Sequence, residues 1–273
     1  MNYPLTALIS DLHANLPALE TALADARVRG AERFVCLGDV IGYGARPREC
    51  LEWVMRLCVE DPVDPGAAQA RTLYPGLCLM GNHEAALLGS GVDFNDKARA
   101  AIDWTREELN RSDAREQNAA FWDYLGALVP AMCDGVAMFA HGSPRDPVRE
   151  YMLPRDSRNP EKLKACFAAM ERRVCFVGHS HVPAVYLESG ELFRPKGPDT
   201  EFDLGDEDAP RAIVNVGSVG QPRDGDPRLS YGLFDGRRIR FVRLEYDHAA
   251  AAAAIRAVPA LPEFLAERLA VGR

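Results

Sequence analysis

Clusters of basic residues are missing from this 273-residue chain: Lys and Arg total 32 against 40 for Asp and Glu, a formal charge of −8. Affinity for long nucleic acids rests on phosphate neutralisation by Lys and Arg, so this balance speaks against such polymers as main partners. Short-spaced thiols are missing too. The seven cysteines make an odd number, form no C-x-x-C pair and sit mostly in apolar runs, as Cys36 and Cys175 do. That usage argues against a disulfide framework or a thiolate metal site and for buried, reduced side chains. No apolar run reaches membrane-spanning length, and the first ten residues lack the basic start and long apolar core of a signal peptide. The expectation is a soluble, cytoplasmic protein whose core needs no staples.

What is present is a series of short apolar runs of strand length, over residues 5–10, 34–37, 77–80, 136–140, 174–177 and 212–216, each ending at a polar or glycine-rich turn. Helical patterns lie between the early runs, over 17–29 and 47–57, so the first half reads as βαβ units with a largely buried sheet. A helical pair is expected over 97–109 and 114–128, and a further helix over 161–170. After residue 174 strands dominate, over 185–187, 192–194, 212–216, 230–234 and 239–244, which implies a second, mainly antiparallel sheet for the C-terminal part. The segment 195–210, rich in Pro, Gly, Asp and Glu, reads as a solvated loop. One domain is expected over 1–246, followed by a helical tail over 247–273 that packs on the domain or on a second subunit.

The histidines carry the chemistry. Five of the six stand at the C-terminal ends of expected strands, beside Gly, Asp, Asn or Ser; His248 alone does not. In order, the strand ends read Ser10-Asp11-Leu12-His13, Gly38-Asp39, Gly81-Asn82-His83-Glu84, His141-Gly142-Ser143 and Gly178-His179-Ser180-His181. Ligands of open α/β sheets bind at the carboxyl ends of strands, so these groups could converge on one site. Carboxylate and amide oxygens together with imidazoles, and no thiolate, suit Mn, Fe, Zn, Ni or Co better than Ca or a lone Mg. Asp11 and His13 are separated by one residue, as are His179 and His181; on an extended strand end alternate side chains share a face, so each pair can reach one metal centre.

This ordered motif set resembles that of the calcineurin-like metallophosphoesterase superfamily, from Asp11 to about Tyr246. The resemblance implies an α/β fold of four layers, an α/β/β/α sandwich of two facing mixed sheets flanked by helices. It implies two divalent metal ions, with manganese the first expectation. Asp11, His13 and His181 would hold one ion, Asn82, His141 and His179 the other, and Asp39 would bridge them. His83 would be the catalytic residue, a general acid that protonates the leaving oxygen. Asn15 and Arg223 are candidate substrate contacts, Asn15 being equally readable as a helix N-cap and Arg223 as a phosphate grip or a solvent-facing side chain.

The second motif continues Val40-Ile41-Gly42-Tyr43-Gly44 and lacks the Asp-Arg of the serine/threonine protein phosphatases. With the late Gly217-Ser218-Val219-Gly220-Gln221-Pro222-Arg223 run, it is similar to the small prokaryotic phosphodiesterase branch. Ala14 stands where that family commonly has glycine, and a slight turn adjustment is expected there. The preferred expectation is therefore hydrolysis of a small phosphoester, such as a nucleotide, by a phosphodiesterase or phosphatase. The alternatives are the same chemistry on nucleic-acid ends or phosphoproteins, which an acidic 199–208 segment would repel if it bordered the site, and a non-catalytic metal-binding scaffold. Substrate choice would lie with the loop 58–74, the helical pair and the 195–210 segment.

Overall fold

In the computed structural model, residues 3–59, 74–89 and 94–273 are described; most of the 58–74 segment therefore lies outside the described residues. Two six-stranded mixed sheets face each other. The first contains β1 (Thr6–Ile9), β2 (Arg33–Cys36), β3 (Leu77–Cys78), β9 (Asp199–Asp203), β11 (Leu229–Phe234) and β12 (Arg238–Leu244), in the order β3-β2-β1-β11-β12-β9. The second contains β4 (Ala131–Cys133), β5 (Ala137–Ala140), β6 (Val174–Val177), β7 (Ala184–Leu187), β8 (Leu192–Phe193) and β10 (Ala212–Asn215), in the order β4-β5-β6-β10-β7-β8.

The layering follows from the two-residue period of strand side chains. Leu8 turns inward to join Val35, Phe139, Phe176 and Val214 between the sheets, while its neighbours Ala7 and Ile9 turn outward against the helices Leu16–Val28 and Pro47–Val59. In β6, Val174 and Phe176 face the inter-sheet core, and Cys175 and Val177 face the helix Pro160–Ala168 through Cys166 and Phe167. Helix, sheet, sheet and helix therefore stack in four layers. Strands covered on both faces read as unbroken apolar runs, which is why β1, β2, β5, β6 and β10 are fully buried.

Two details depart from expectation. The C-terminal strands do not form a sheet of their own: β7, β8 and β10 extend the second sheet, while β9, β11 and β12 complete the first. The segment 195–210 is not all loop, for β9 pairs with β12 and sets Glu201 opposite Arg240 and Asp203 opposite Arg238. Its acids alternate with the half-buried Thr200 and Phe202, a strand pattern on a solvated edge. β9 is separated from β1 by two strands, and its charges are paired, Arg240 with Glu201 at 3.1 Å and Arg237 with Asp203 at 3.0 Å.

The helical pair forms at Asp96–Leu109 and Arg115–Ala127. The tail forms a helix at His248–Arg256, a short one at Glu263–Glu267 and a 3₁₀ turn at Arg268–Val271. Its Ala252, Ile255, Leu265 and Leu269 join the core cluster on the outer face of the first sheet. Among the described residues no helix is long and apolar enough to cross a membrane.

Candidate metal centre

The parallel strands β1, β2 and β3 of one sheet and β5, β6 and β10 of the other deliver their carboxyl-terminal loops to one edge of the sandwich. All eight residues expected there, Asp11, His13, Asp39, Asn82, His83, His141, His179 and His181, meet at this edge. Asp11, His13, Asp39 and His181 form one group able to hold a metal ion, and Asp39, His141 and His179 form another, so Asp39 is common to both. In the first group His181 Nε2 lies 3.2 Å from Asp11 Oδ1 and 3.2 Å from His13 Nε2. In the second, His141 Nε2 lies 3.3 Å from Asp39 Oδ2, 3.1 Å from Asn82 Oδ1 and 3.2 Å from His179 Nδ1.

The far nitrogen of each imidazole decides what the near one can do. His13 Nδ1 faces the Ile41 carbonyl at 3.2 Å, His141 Nδ1 the Leu37 carbonyl at 2.9 Å, His179 Nε2 the Arg149 carbonyl at 3.0 Å, and His181 Nδ1 the Gln221 carbonyl. A carbonyl oxygen only accepts, so each of these nitrogens carries the proton and donates it. The remaining lone pairs then point inward at two carboxylates and at one another. Lone pairs meeting at 3.2 Å repel unless a cation stands between them, so the donor set fits metal ions. Burial acts against charging His141, yet the neighbouring Asp39 carboxylate raises its pKa to about 9, so without a metal a second proton occupies the inward nitrogen, the place a metal ion would take. Burial likewise opposes ionisation of Asp39, but the imidazoles around it, His141 first, hold its carboxyl well below the usual range.

The backbone pays for this convergence. The described non-glycine residues with positive φ are Asp11, His13, Ala14, Asp39, Tyr43, His179 and His181, and every one lies at this edge. Such left-handed conformations cost about 1–3 kcal/mol each and persist where surrounding structure over-determines them. The alternation argument for Asp11 and His13 therefore needs correcting. β1 ends at Ile9, and the two side chains converge because φ turns to 53° and 47°, not because they share a strand face. His179 and His181 do not share a group: each joins a different one across Asp39. Ala14, with φ of 52°, occupies a conformation that glycine adopts without steric cost.

Glu84, quoted in the motif without a role, is the main structural residue that the sequence did not disclose. Its buried carboxylate accepts N–H bonds from Asp39, Val40, Ile41 and Gly81 at 2.9, 2.9, 3.2 and 2.9 Å. Burial and the charge of Asp39 raise its carboxyl to about 7, and the amide donors oppose that rise. The available signal was its place in the first turn of the helix Asn82–Leu88, three residues after the N-cap Gly81.

His83 differs from the other four histidines. Its Nδ1 is buried without a hydrogen-bond partner, while its backbone N–H donates to Asp39 Oδ1 at 2.8 Å. The ring sits among His13, Tyr43 and Phe94, with centroids 4.7, 4.4 and 4.8 Å away. Gly42 makes room for it, because a Cβ there would meet His83 Nδ1 at 2.1 Å. Burial lowers the His83 pKa to about 4, with Asp39 opposing and Arg223 adding to the fall.

The two weaker candidates separate. Asn15 is the N-cap of the helix Leu16–Val28, accepting from Ala18 N at 3.3 Å and donating to the Gly220 carbonyl at 2.8 Å and to Tyr246 Oη at 3.2 Å. Arg223 stands with its guanidinium 5.7 Å from the Tyr43 ring centroid and donates to Gln221 Oε1. Tyr151, which the sequence did not single out, stacks on His179 with 3.7 Å between centroids.

A family model described as the calcineurin-like phosphoesterase superfamily domain matches residues 5–238. The chain is 36% identical over 275 residues to the uncharacterized protein MJ0912 of Methanocaldococcus jannaschii, covering 98% of each. A crystal structure of a metallophosphoesterase from Sphaerobacter thermophilus superposes with a TM-score of 0.79 at 37% identity, over 100% of both chains. The fold is shared with hypothetical protein PH1004 from Pyrococcus horikoshii OT3, at a TM-score of 0.71, 18% identity and 98% coverage of each chain. On these matches, and with a buried Asp/His cluster at its strand ends, the chain belongs to the calcineurin-like phosphoesterase superfamily.

Proposed function

We propose that this protein hydrolyses small phosphoesters, with phosphodiesters such as nucleotide esters as the preferred class. Asp11, His13 and His181 would hold one divalent cation, Asn82, His141 and His179 a second, and Asp39 both. Manganese is the first choice among the first-row metals that this oxygen and imidazole set suits. The observation that carries the reading is the orientation of the four imidazoles. Each donates its far N–H to a backbone carbonyl and turns its other nitrogen to a cluster in which Asp39 is shared.

A bound cation pair supplies Lewis acidity to phosphoryl oxygens and makes water nucleophilic at neutral pH. The side chains do the rest. Glu84 fixes the loop that carries Asp39. His83, tied through its backbone N–H to Asp39, protonates the leaving oxygen. A phosphate beside the ring would favour its protonated form, which is the form a general acid needs. Tyr43 and Phe94 flank the ring and keep water from it, and Arg223 grips a phosphoryl oxygen.

The test is hydrolysis of bis-p-nitrophenyl phosphate and p-nitrophenyl phosphate by metal-stripped protein refilled with Mn, Ni, Zn or Mg, with Asp39→Asn as control. Metal-dependent release that favours the diester and vanishes in Asp39→Asn is expected. Equal release by wild type and control, or none with any metal, would overturn the proposal.

A further inference from the structure

Resting on the phosphoesterase reading, we infer that the C-terminal tail supplies Arg268 to the substrate site and that the substrate carries a second anionic group, a phosphoryl group beyond the one attacked. The argument begins at Tyr43. Its ring centroid is 4.4 Å from that of His83 and 4.7 Å from that of His13, so it forms part of the wall of the metal centre. Two guanidiniums approach this ring: Arg223 at 5.7 Å from the centroid and Arg268 at 5.9 Å. The cationic line continues outward, because Arg268 also lies 5.2 Å from the Phe264 ring and Lys97 Nζ lies 3.8 Å from it.

The order is therefore Arg223, Tyr43, Arg268, Phe264, Lys97: three cations from three separate chain segments, interleaved with two aromatic rings and starting at the metal centre. Arg223 has no side-chain carboxylate partner among the described residues, and Arg268 is held by the terminal residue of its own tail. Arg223 uses Nε and Nη2 on Gln221 Oε1, and Arg268 uses Nε on the main-chain oxygen of Arg273. Two half-buried guanidiniums on one ring repel each other. Burial, then the charge of Arg223, lowers the Arg268 pKa to about 10, so an anionic substrate that reaches past Tyr43 to both groups relieves that repulsion.

The tail and the metal centre meet at Tyr43, which Arg268 faces and whose ring also borders a narrow cleft. The cleft opens between His13, Tyr43 and Gln221 on one side and Ala251, Ile255 and Leu269 of the tail on the other. A single phosphate monoester or diester centred on the metal ligands would engage Arg223 and leave Arg268 unused. A substrate with a further phosphoryl group reaches both.

The experiment compares two chromogenic diesters, thymidine 5′-(p-nitrophenyl phosphate) with and without a 3′-phosphate, in wild type, Arg268→Gln and Arg268→Lys. In wild type the 3′-phosphate raises kcat/KM about tenfold or more through a lower KM, as charge-assisted hydrogen bonds to arginine warrant. Arg268→Gln brings the ratio close to one, and Arg268→Lys, which keeps the charge, retains part of it. A ratio near one in wild type, or one unchanged in Arg268→Gln, overturns the inference.

Binding separates this outcome from failure of the phosphoesterase reading. Calorimetric titration of the manganese-loaded protein with thymidine 3′,5′-bisphosphate and thymidine 5′-monophosphate needs no turnover. The bisphosphate should bind about tenfold more tightly to wild type and equally with the monophosphate to Arg268→Gln. Equal affinities in wild type contradict the assignment whether or not the protein is an esterase.

Discussion

The carboxylate of Glu84 holds the backbone amide of Asp39 at 2.9 Å, and with its other oxygen it holds the amides of Val40 and Ile41. The residue shared by both halves of the metal centre is thus positioned by a buried carboxyl group that is not itself among the proposed metal ligands. Replacement by glutamine removes one acceptor and turns an NH₂ towards amide donors. Leaving buried donors unsatisfied costs about 1–3 kcal/mol each, so Glu84→Gln should lose at least about 2 kcal/mol of stability and bind metal more weakly. Chemical denaturation and metal analysis check this; wild-type stability with full metal content would contradict it.

Gly42 and His83 should behave as one unit. His83→Ala is expected to depress turnover by about 10²-fold or more while leaving metal content nearly intact, as loss of a positioned general acid does. Gly42→Ala should show the same signature, because a Cβ there would occupy the place of His83 Nδ1 and φ is +84°. Loss of both metals in His83→Ala, or undiminished turnover in Gly42→Ala, would break the assignment.

Asn15→Ala separates helix capping from substrate contact. The side chain is engaged by Ala18, Gly220 and Tyr246, so a loss of about 1 kcal/mol or more in stability is expected. KM should stay within about twofold of wild type. A large rise in KM at unchanged stability would restore Asn15 as a phosphate contact.

Glu150 gives a prediction in pH. A hydrogen bond from Arg145 pulls its carboxyl down from 4.5 to about 2, against burial and with help from Ser143. Because the folded pKa is the lower one, its contribution is complete above pH 4.5 and is lost as pH falls from there through about 2. Glu150→Gln should flatten the stability curve across that interval. Curves of wild type and variant that run parallel between pH 4.5 and 2 would rule the effect out.

Much of the fold was legible because strands covered on both faces must be apolar, which marks β1, β5 and β6 without ambiguity. β9 was hidden because its outward positions are Asp199, Glu201 and Asp203, a composition that reads as solvated loop until Arg238 and Arg240 of the paired strand are known. β4 was hidden as a three-residue edge strand with Met132 exposed. At the centre, polar residues interrupting apolar runs at strand ends were visible, and so was their gathering at one edge. The left-handed turns that aim Asp11 and His13 were not, since local alternation predicts an extended backbone. For Glu84 only the helix-start bond to Gly81 was local, while its hold on the Asp39 loop and the placing of Tyr43 and Arg268 depend on contacts remote in sequence.

The most direct measurement is anomalous diffraction from crystals soaked in manganese, recorded at the manganese edge for wild type and Asp39→Asn. The account predicts two peaks in wild type flanking the Asp39 carboxylate, one within ligand distance of Asp11, His13 and His181 and the other of Asn82, His141 and His179, with occupancy lowered in Asp39→Asn. A single peak, or peaks away from Asp39, would contradict the shared two-metal centre on which the proposed hydrolysis rests.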